Sequence, residues 1–121
     1  MREYLNNRQT GAKGEGMAAD YLQARGVRIA ARNFRSRYGE IDLIGYHKGY
    51  LVFFEVKYRR NRDKGLPEEA VSFYKQKRIC RVADYYRRVK RVPPDTGIRY
   101  DVVAVEEREI RWYENAFSHI S

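Results

Sequence analysis

The sequence predicts an α/β domain, a mixed central β-sheet flanked by helices in the order αβββαββ. Three observations carry that prediction. Two segments, near residues 15–25 and 73–91, place apolar side chains at helical spacing. Five shorter runs rich in β-branched and aromatic residues surround them. No internal repeat, low-complexity tract or linker divides the 121 residues, so residues 1–121 are expected to form a single domain.

Thr10-Gly11-Ala12-Lys13-Gly14-Glu15 opens the first helix, with Thr10 as N-cap, and Gly26 stops it after about Arg25. At about 100° per residue, Glu15 falls in phase with Ala18 and Leu22, which turns its carboxylate toward the core. A short strand around Val27–Arg32 leads to a second over Gly39–Ile44, followed by a turn from Gly45 to Gly49. The third strand, Leu51-Val52-Phe53-Phe54-Glu55-Val56-Lys57, begins apolar on both faces, as central strands do. Its alternation then sets Glu55 and Lys57 on one face. A basic loop from Tyr58 to Leu66 ends at Pro67. The second helix runs from Ser72 or Phe73 to Arg91, with Ile79, Val82, Ala83, Tyr86 and Val89 as its buried stripe. Pro93-Pro94-Asp95 breaks it, and Tyr100–Val105 and Glu109–Tyr113 are the last strands.

Charge narrows the class of partner. Lysine and arginine number 25 against 16 acids, a net charge of +9 that favours polyanions: nucleic acid, an acidic membrane face or an acidic protein. The excess is clustered. On the second helix Lys75, Lys77, Arg78, Arg81, Arg87, Arg88, Lys90 and Arg91 face only Asp84, and in the loop Lys57, Arg59, Arg60, Arg62 and Lys64 face only Asp63. Arg59, Arg60, Arg62, Lys75, Lys77, Arg78 and Arg81 are the expected phosphate contacts, and binding through them should weaken steeply with salt. A hydrophobic content of 43% with 14% aromatics excludes intrinsic disorder. The single cysteine, Cys80, excludes an intramolecular disulfide. The run Leu51–Phe54 is far too short to span a bilayer, and Met1–Arg8 carries no apolar signal segment, so a cytoplasmic protein without a membrane partner is expected.

The chemistry concentrates in Glu15, Asp42, Glu55 and Lys57. Ile41 and Leu43 are expected to face away from Asp42, and a hairpin between the second and third strands would bring Asp42 beside Glu55 and Lys57. Carboxylates do not gather away from water without a counter-charge. A hard cation, Mg²⁺ or Mn²⁺, held by Asp42, Glu55 and the Val56 carbonyl would relieve the repulsion. The reaction this suggests is metal-assisted phosphodiester hydrolysis, with Lys57 orienting the attacking water or stabilising developing negative charge. Glu15 would reach in from the helix to hold a second ion or a metal-bound water. Taken singly, each residue admits a plainer role: an exposed ion pair for Glu55 and Lys57, a satisfied polar group for Asp42, a helix-dipole acid for Glu15. Their joint arrangement favours the site. Tyr85 and Tyr86 beside Arg87 and Arg88 could stack on bases, although helix tyrosines are more often core or rim. His47 and His119 lack ligand spacing, which argues against zinc.

Gly11-x-x-Gly14-Glu15, Gly39-Glu40-Ile41-Asp42-Leu43-Ile44, Phe53-Phe54-Glu55-Val56-Lys57 with Arg59, and Asn115-Ala116-Phe117 resemble the YraN-type bacterial family. That family is regarded as a branch of the PD-(D/E)xK nuclease superfamily, similar to archaeal Holliday-junction resolvases. The resemblance spans nearly the whole chain and implies a restriction-endonuclease-like core. It also implies that Asp42, Glu55 and Lys57 match the catalytic motif and Glu15 the helix-borne acid. A polar residue on the following helix often completes such sites; Lys75 and Gln76 lie there, and Gln76 is favoured. The proline of the motif is replaced by Ile41.

The expected activity is therefore a metal-dependent endonuclease acting on DNA, with branched or junction structures among its candidate substrates. A homodimer would let two such sites cut two strands. The rivals are a non-catalytic nucleic-acid-binding module on the same fold and a protein-interaction domain with a basic face. Carboxylates beside a phosphate site repel the ligand of a pure binder, which favours the enzyme.

Overall fold

The computed structural model describes residues 14–59, 71–107 and 109–121. Residues 14–24 form helix α1, followed by strands β1 (Arg28–Ser36), β2 (Gly39–His47) and β3 (Tyr50–Arg59), helix α2 (Phe73–Val89), and strands β4 (Gly97–Glu106) and β5 (Ile110–Phe117). The order is the predicted αβββαββ. The five strands make one sheet in sequence order. Every neighbouring pair is antiparallel except β3 and β4, which run parallel and are joined through α2. A parallel pair cannot be closed by a hairpin, so the amphipathic helix supplies the crossover.

Two apolar layers hold the sheet between the helices. Ala18, Ala19 and Leu22 of α1 pack with Val27, Leu43, Val52, Phe54, Val103 and Val105 on one face. Ile79, Cys80, Val82, Ala83 and Tyr86 of α2 pack with Ile44, Leu51, Phe53, Tyr100 and Val102 on the other. The adjacent Phe53 and Phe54 thus enter opposite cores, as a central strand buried on both sides requires.

Ends and turns refine the predicted boundaries. Gly26 takes φ +93° while the Val27 N–H returns to the Leu22 carbonyl, so α1 stops where the glycine permits a left-handed residue. β1 extends to Ser36, four residues beyond its predicted end, and β5 to Phe117. The β2–β3 turn is tighter than predicted. His47 pairs with Tyr50 across Lys48-Gly49, both at positive φ, and Gly45 lies inside β2 opposite Val52. α2 starts at the Ser72 cap, whose hydroxyl accepts the Lys75 N–H, and ends before the prolines, at a left-handed Arg91. Val89, expected in the buried stripe, is 52% exposed because the helix ends there, past the edge of the apolar layer. Thr10 and the loop segment 60–70 lie outside the described residues.

Candidate active site

β2 and β3 stay paired only as far as Leu43 and Phe54; the next residues along each strand are Asp42 and Glu55. A second irregularity coincides with that end. Asn33 of β1 takes φ +51°, and beyond it Ile41 packs into the α2-side core while Leu43 packs into the α1-side core. The expectation that Ile41 and Leu43 share a face is therefore corrected: the alternation slips at Asp42, where pairing with β3 has ended and the facing β1 residue, Asn33, is left-handed. Freed in this way, Asp42 accepts the Val56 N–H at 2.8 Å with its own carboxylate.

The result is a crowded acidic cluster. Asp42 is pushed up to about 7, first by burial and then by the charge of Glu55, with the Val56 N–H only partly opposing them. Glu15 is bonded to Asp42 and is also raised, by burial and then by Glu40. With its amide turned to donate, Asn33 bridges Glu15 Oε2 at 3.0 Å and Glu40 Oε1 at 3.1 Å. Asn33 is a site residue that sequence reasoning missed. The available signal was an asparagine, a poor strand former, set within a run that otherwise reads as β.

Two lysines meet on the other carboxylate. Lys57 Nζ stands 3.5 Å from Glu55 Oε1, and Lys75 Nζ contacts the same oxygen more closely. Burial, followed by the adjacent Lys75, pulls the Lys57 ammonium below the ordinary lysine value. Burial also works against the charge on Lys75, but its bonds to Glu55 and Lys57 more than offset this and raise its proton affinity. Of the two helix residues weighed from sequence, Lys75 is the one that reaches Glu55; the Gln76 side-chain amide donates to the Val71 carbonyl at 2.8 Å.

The structure thus brings Glu15, Asp42, Glu55 and Lys57 together, with Val56 beneath them and Lys75 added. Lys77, Arg78 and Arg81 continue along α2. The side chain of Arg59, together with Arg60 and Arg62, lies outside the described residues. Tyr86 is core, edge-on to Phe34 at 5.0 Å, and Tyr85 is rim, tilted against the same ring. Asn115 serves the fold: it sits at φ +54° and gives its N–H to Asp101.

Among the described residues no three His, Cys, Asp or Glu side chains form a ready-made metal cage. Magnesium does not require one, since it keeps several waters and is usually held by one or two carboxylates. The donors present are hard oxygens around a carboxylate short of compensating charge, which fits Mg²⁺ or Mn²⁺ and not a softer metal.

Fold and site together define the class: a restriction-endonuclease-like α/β domain whose parting central strands carry an acid pair and a lysine. The family model described as "Uncharacterised protein family UPF0102" matches residues 14–105, and the chain belongs to that family, the YraN-type family its motifs resemble. A UPF0102 protein of Lachnoclostridium phytofermentans is 50% identical over 113 residues, covering 93% of this chain and 96% of its own. One from Symbiobacterium thermophilum is 48% identical, covering 92% and 98%. One from Clostridioides difficile is 42% identical, covering 93% and 100%. No helix among the described residues is long and apolar enough to cross a membrane.

Proposed function

We propose that this chain is a metal-dependent nuclease that hydrolyses phosphodiester bonds in DNA. The observation that carries the reading is Asp42, a largely buried carboxylate lifted to about 7 by burial and by Glu55, with Glu15 against it. A protein keeps such a group where a cation is to be bound, because an uncompensated buried acid is otherwise a cost to folding. Asp42 and Glu55 would hold Mg²⁺ or Mn²⁺ with the Val56 carbonyl, and the ion when bound would polarise the phosphate as a Lewis acid. Lys57, with its depressed proton affinity, is suited to orient a water and to meet charge developing on the phosphate. Glu15 would take or hold a proton beside Asp42, and Asn33 fixes its position. The basic face of α2 supplies the phosphate attraction.

A second reading, the non-catalytic nucleic-acid binder, draws on the Glu55–Lys75 contact, which neutralises a carboxylate without any ion. A cleavage assay separates the two. With Mg²⁺ or Mn²⁺ and a panel of junction, flap, single-stranded and duplex DNA, the wild type should cut. Lys57→Ala should lose about 10²- to 10³-fold in rate while still binding. Asp42→Ala and Glu55→Ala should abolish cutting and leave binding intact or tighter, since they remove negative charge beside the phosphates. No wild-type cutting on any substrate would favour the binder. Full-rate cutting by Lys57→Ala would overturn the site assignment.

A further inference from the structure

α2 carries a second feature that the acid cluster does not use. At its start Phe73 and Tyr74 are 67% and 75% exposed, an unusual placement for two adjacent aromatic rings. They line a cavity of about 440 Å³ together with Lys77, Arg78 and Arg81. The opposite wall is the β1–β2 turn, Arg37 and Tyr38, with the Arg37 guanidinium donating to the Tyr38 hydroxyl at 2.8 Å. No acid among the described residues lines it. Arg78 is held in place: its stem crosses Gly39, where a β-carbon would come within 3.1 Å of Arg78 Cδ, and its guanidinium lies 5.9 Å from the Tyr74 ring centre.

The groove adjoins the candidate active site. Gly39, under Arg78, begins the strand that reaches Asp42 three residues later, roughly 10 Å along the backbone. Glu40, the next residue, is tied through Asn33 to Glu15. Lys75, next to Tyr74 in the helix, contacts Glu55.

We propose that this groove receives an unpaired nucleotide, its base stacked on Phe73 or Tyr74 and its phosphates met by Arg37, Lys77, Arg78 and Arg81, so that the substrates are nucleic acids with unpaired strand next to the bond cut. Four cations, with no acid among the described residues of the lining, call for a polyanion, and a duplex backbone would satisfy them. A duplex would nonetheless leave both rings in water, because its base faces are stacked inside. Only an unstacked base covers aromatic surface and cationic surface together, and each such stack is worth roughly 1–3 kcal/mol. An acidic peptide would match the charge but offer the rings no π-face.

This inference rests on the nucleic-acid reading above, and its test is chosen to fail separately. Binding is measured in EDTA, where hydrolysis does not enter, using a single-stranded oligonucleotide carrying 2-aminopurine and the blunt duplex of the same sequence. The wild type should prefer the single strand and quench its fluorescence on binding. Phe73→Ala/Tyr74→Ala should lose about 10- to 100-fold in single-strand affinity, the equivalent of one to two stacking contacts. Its duplex affinity and thermal unfolding should match the wild type, since both rings stand outside the core. Of the single variants at this position, Tyr74→Phe, which keeps a ring, should quench more strongly than Tyr74→Ala. Equal affinities of the double variant and wild type for the single strand, absence of quenching, or displacement by polyglutamate as effective as by the oligonucleotide would each overturn the proposal. Absent cleavage with these results intact would refute the nuclease and leave the groove standing.

Discussion

Two aspartates on this sheet sit in places poor in water and have opposite surroundings. Asp101 of β4 is 0% exposed, yet its oxygens are fully engaged. Arg99 grips it through Nε at 3.0 Å and a terminal nitrogen at 2.9 Å, the Trp112 indole N–H donates at 2.8 Å, and the Asn115 backbone N–H donates at 2.8 Å. Arg99 in turn donates to His47 Nδ1 at 2.9 Å and pairs with Glu114 at 3.3 Å. Asp42 has the Val56 N–H and the more weakly felt charge of Lys75, but Glu55 and Glu15 press on it from the other side and burial adds to them. The first carboxylate has its counter-charge built into the fold. The second is left short of one, and on that shortage the proposed cation site rests.

The largest effect expected from breaking this contrast is at Asp101. Asp101→Ala takes from the buried Arg99 its closest carboxylate, leaving it only Glu114 and His47, and strips the Trp112 and Asn115 N–H groups of their acceptor, so the loss should be about 3–5 kcal/mol, read from denaturant or thermal unfolding. A loss under about 1 kcal/mol would mean that the network is not what joins β4 to β5 and the β2–β3 turn.

Asp42 should respond in the opposite sense. The unfolded carboxyl titrates near its ordinary 3.8 and the folded one near 7. Between those values the folded state holds a proton that the unfolded state has released. The contribution of Asp42 to the stability of the metal-free protein is therefore fully present below the lower value, falls as pH rises toward 7, and levels off above it, by on the order of a few kcal/mol. Asp42→Asn should remove that fall and be at least as stable as wild type at pH 8. Unfolding curves at several pH values check this, and an unchanged slope in the variant would contradict it.

A smaller effect sharpens the comparison from the Asp101 side. Burial, and next the Arg99 charge, hold His47 below its ordinary 6.5. The unfolded imidazole therefore binds a proton that the folded one refuses, and this contribution is present above 6.5 and lost as pH falls below it. His47→Gln should flatten that acid-side loss. The two regions thus tilt the pH profile in opposite directions, and the single variants separate them.

What could be read from the sequence follows from the range of the interactions. Glu55 and Lys57 are two apart on one strand, and Glu15 is in phase with Ala18 and Leu22, so local periodicity sufficed to group them. Asp42 came from the hairpin spacing, correct in outcome although the alternation assumed around Ile41 slips. Lys75 was visible as a basic helix residue, but its contact with Glu55 depends on how α2 crosses the sheet. The grip on Asp101 was not visible at all: its partners lie at 99, 112 and 115, and β5 had been expected to end at Tyr113, before the bulge that delivers the Asn115 N–H. Phe73 and Tyr74 were equally silent, since exposure on a helix is a property of what packs beside it.

If the parted end of β2 and β3 is, as proposed, a divalent-cation site serving phosphodiester hydrolysis, the ion should bind there measurably. Calorimetric titration of Mn²⁺ and Mg²⁺ into wild type, Asp42→Asn and Lys57→Ala tests it most directly. Saturable binding is expected in wild type and in Lys57→Ala, with loss of that binding in Asp42→Asn and release of the Asp42 proton when the ion binds near pH 6. Heats of dilution alone in wild type, or binding to Asp42→Asn as tight as to wild type, would contradict it.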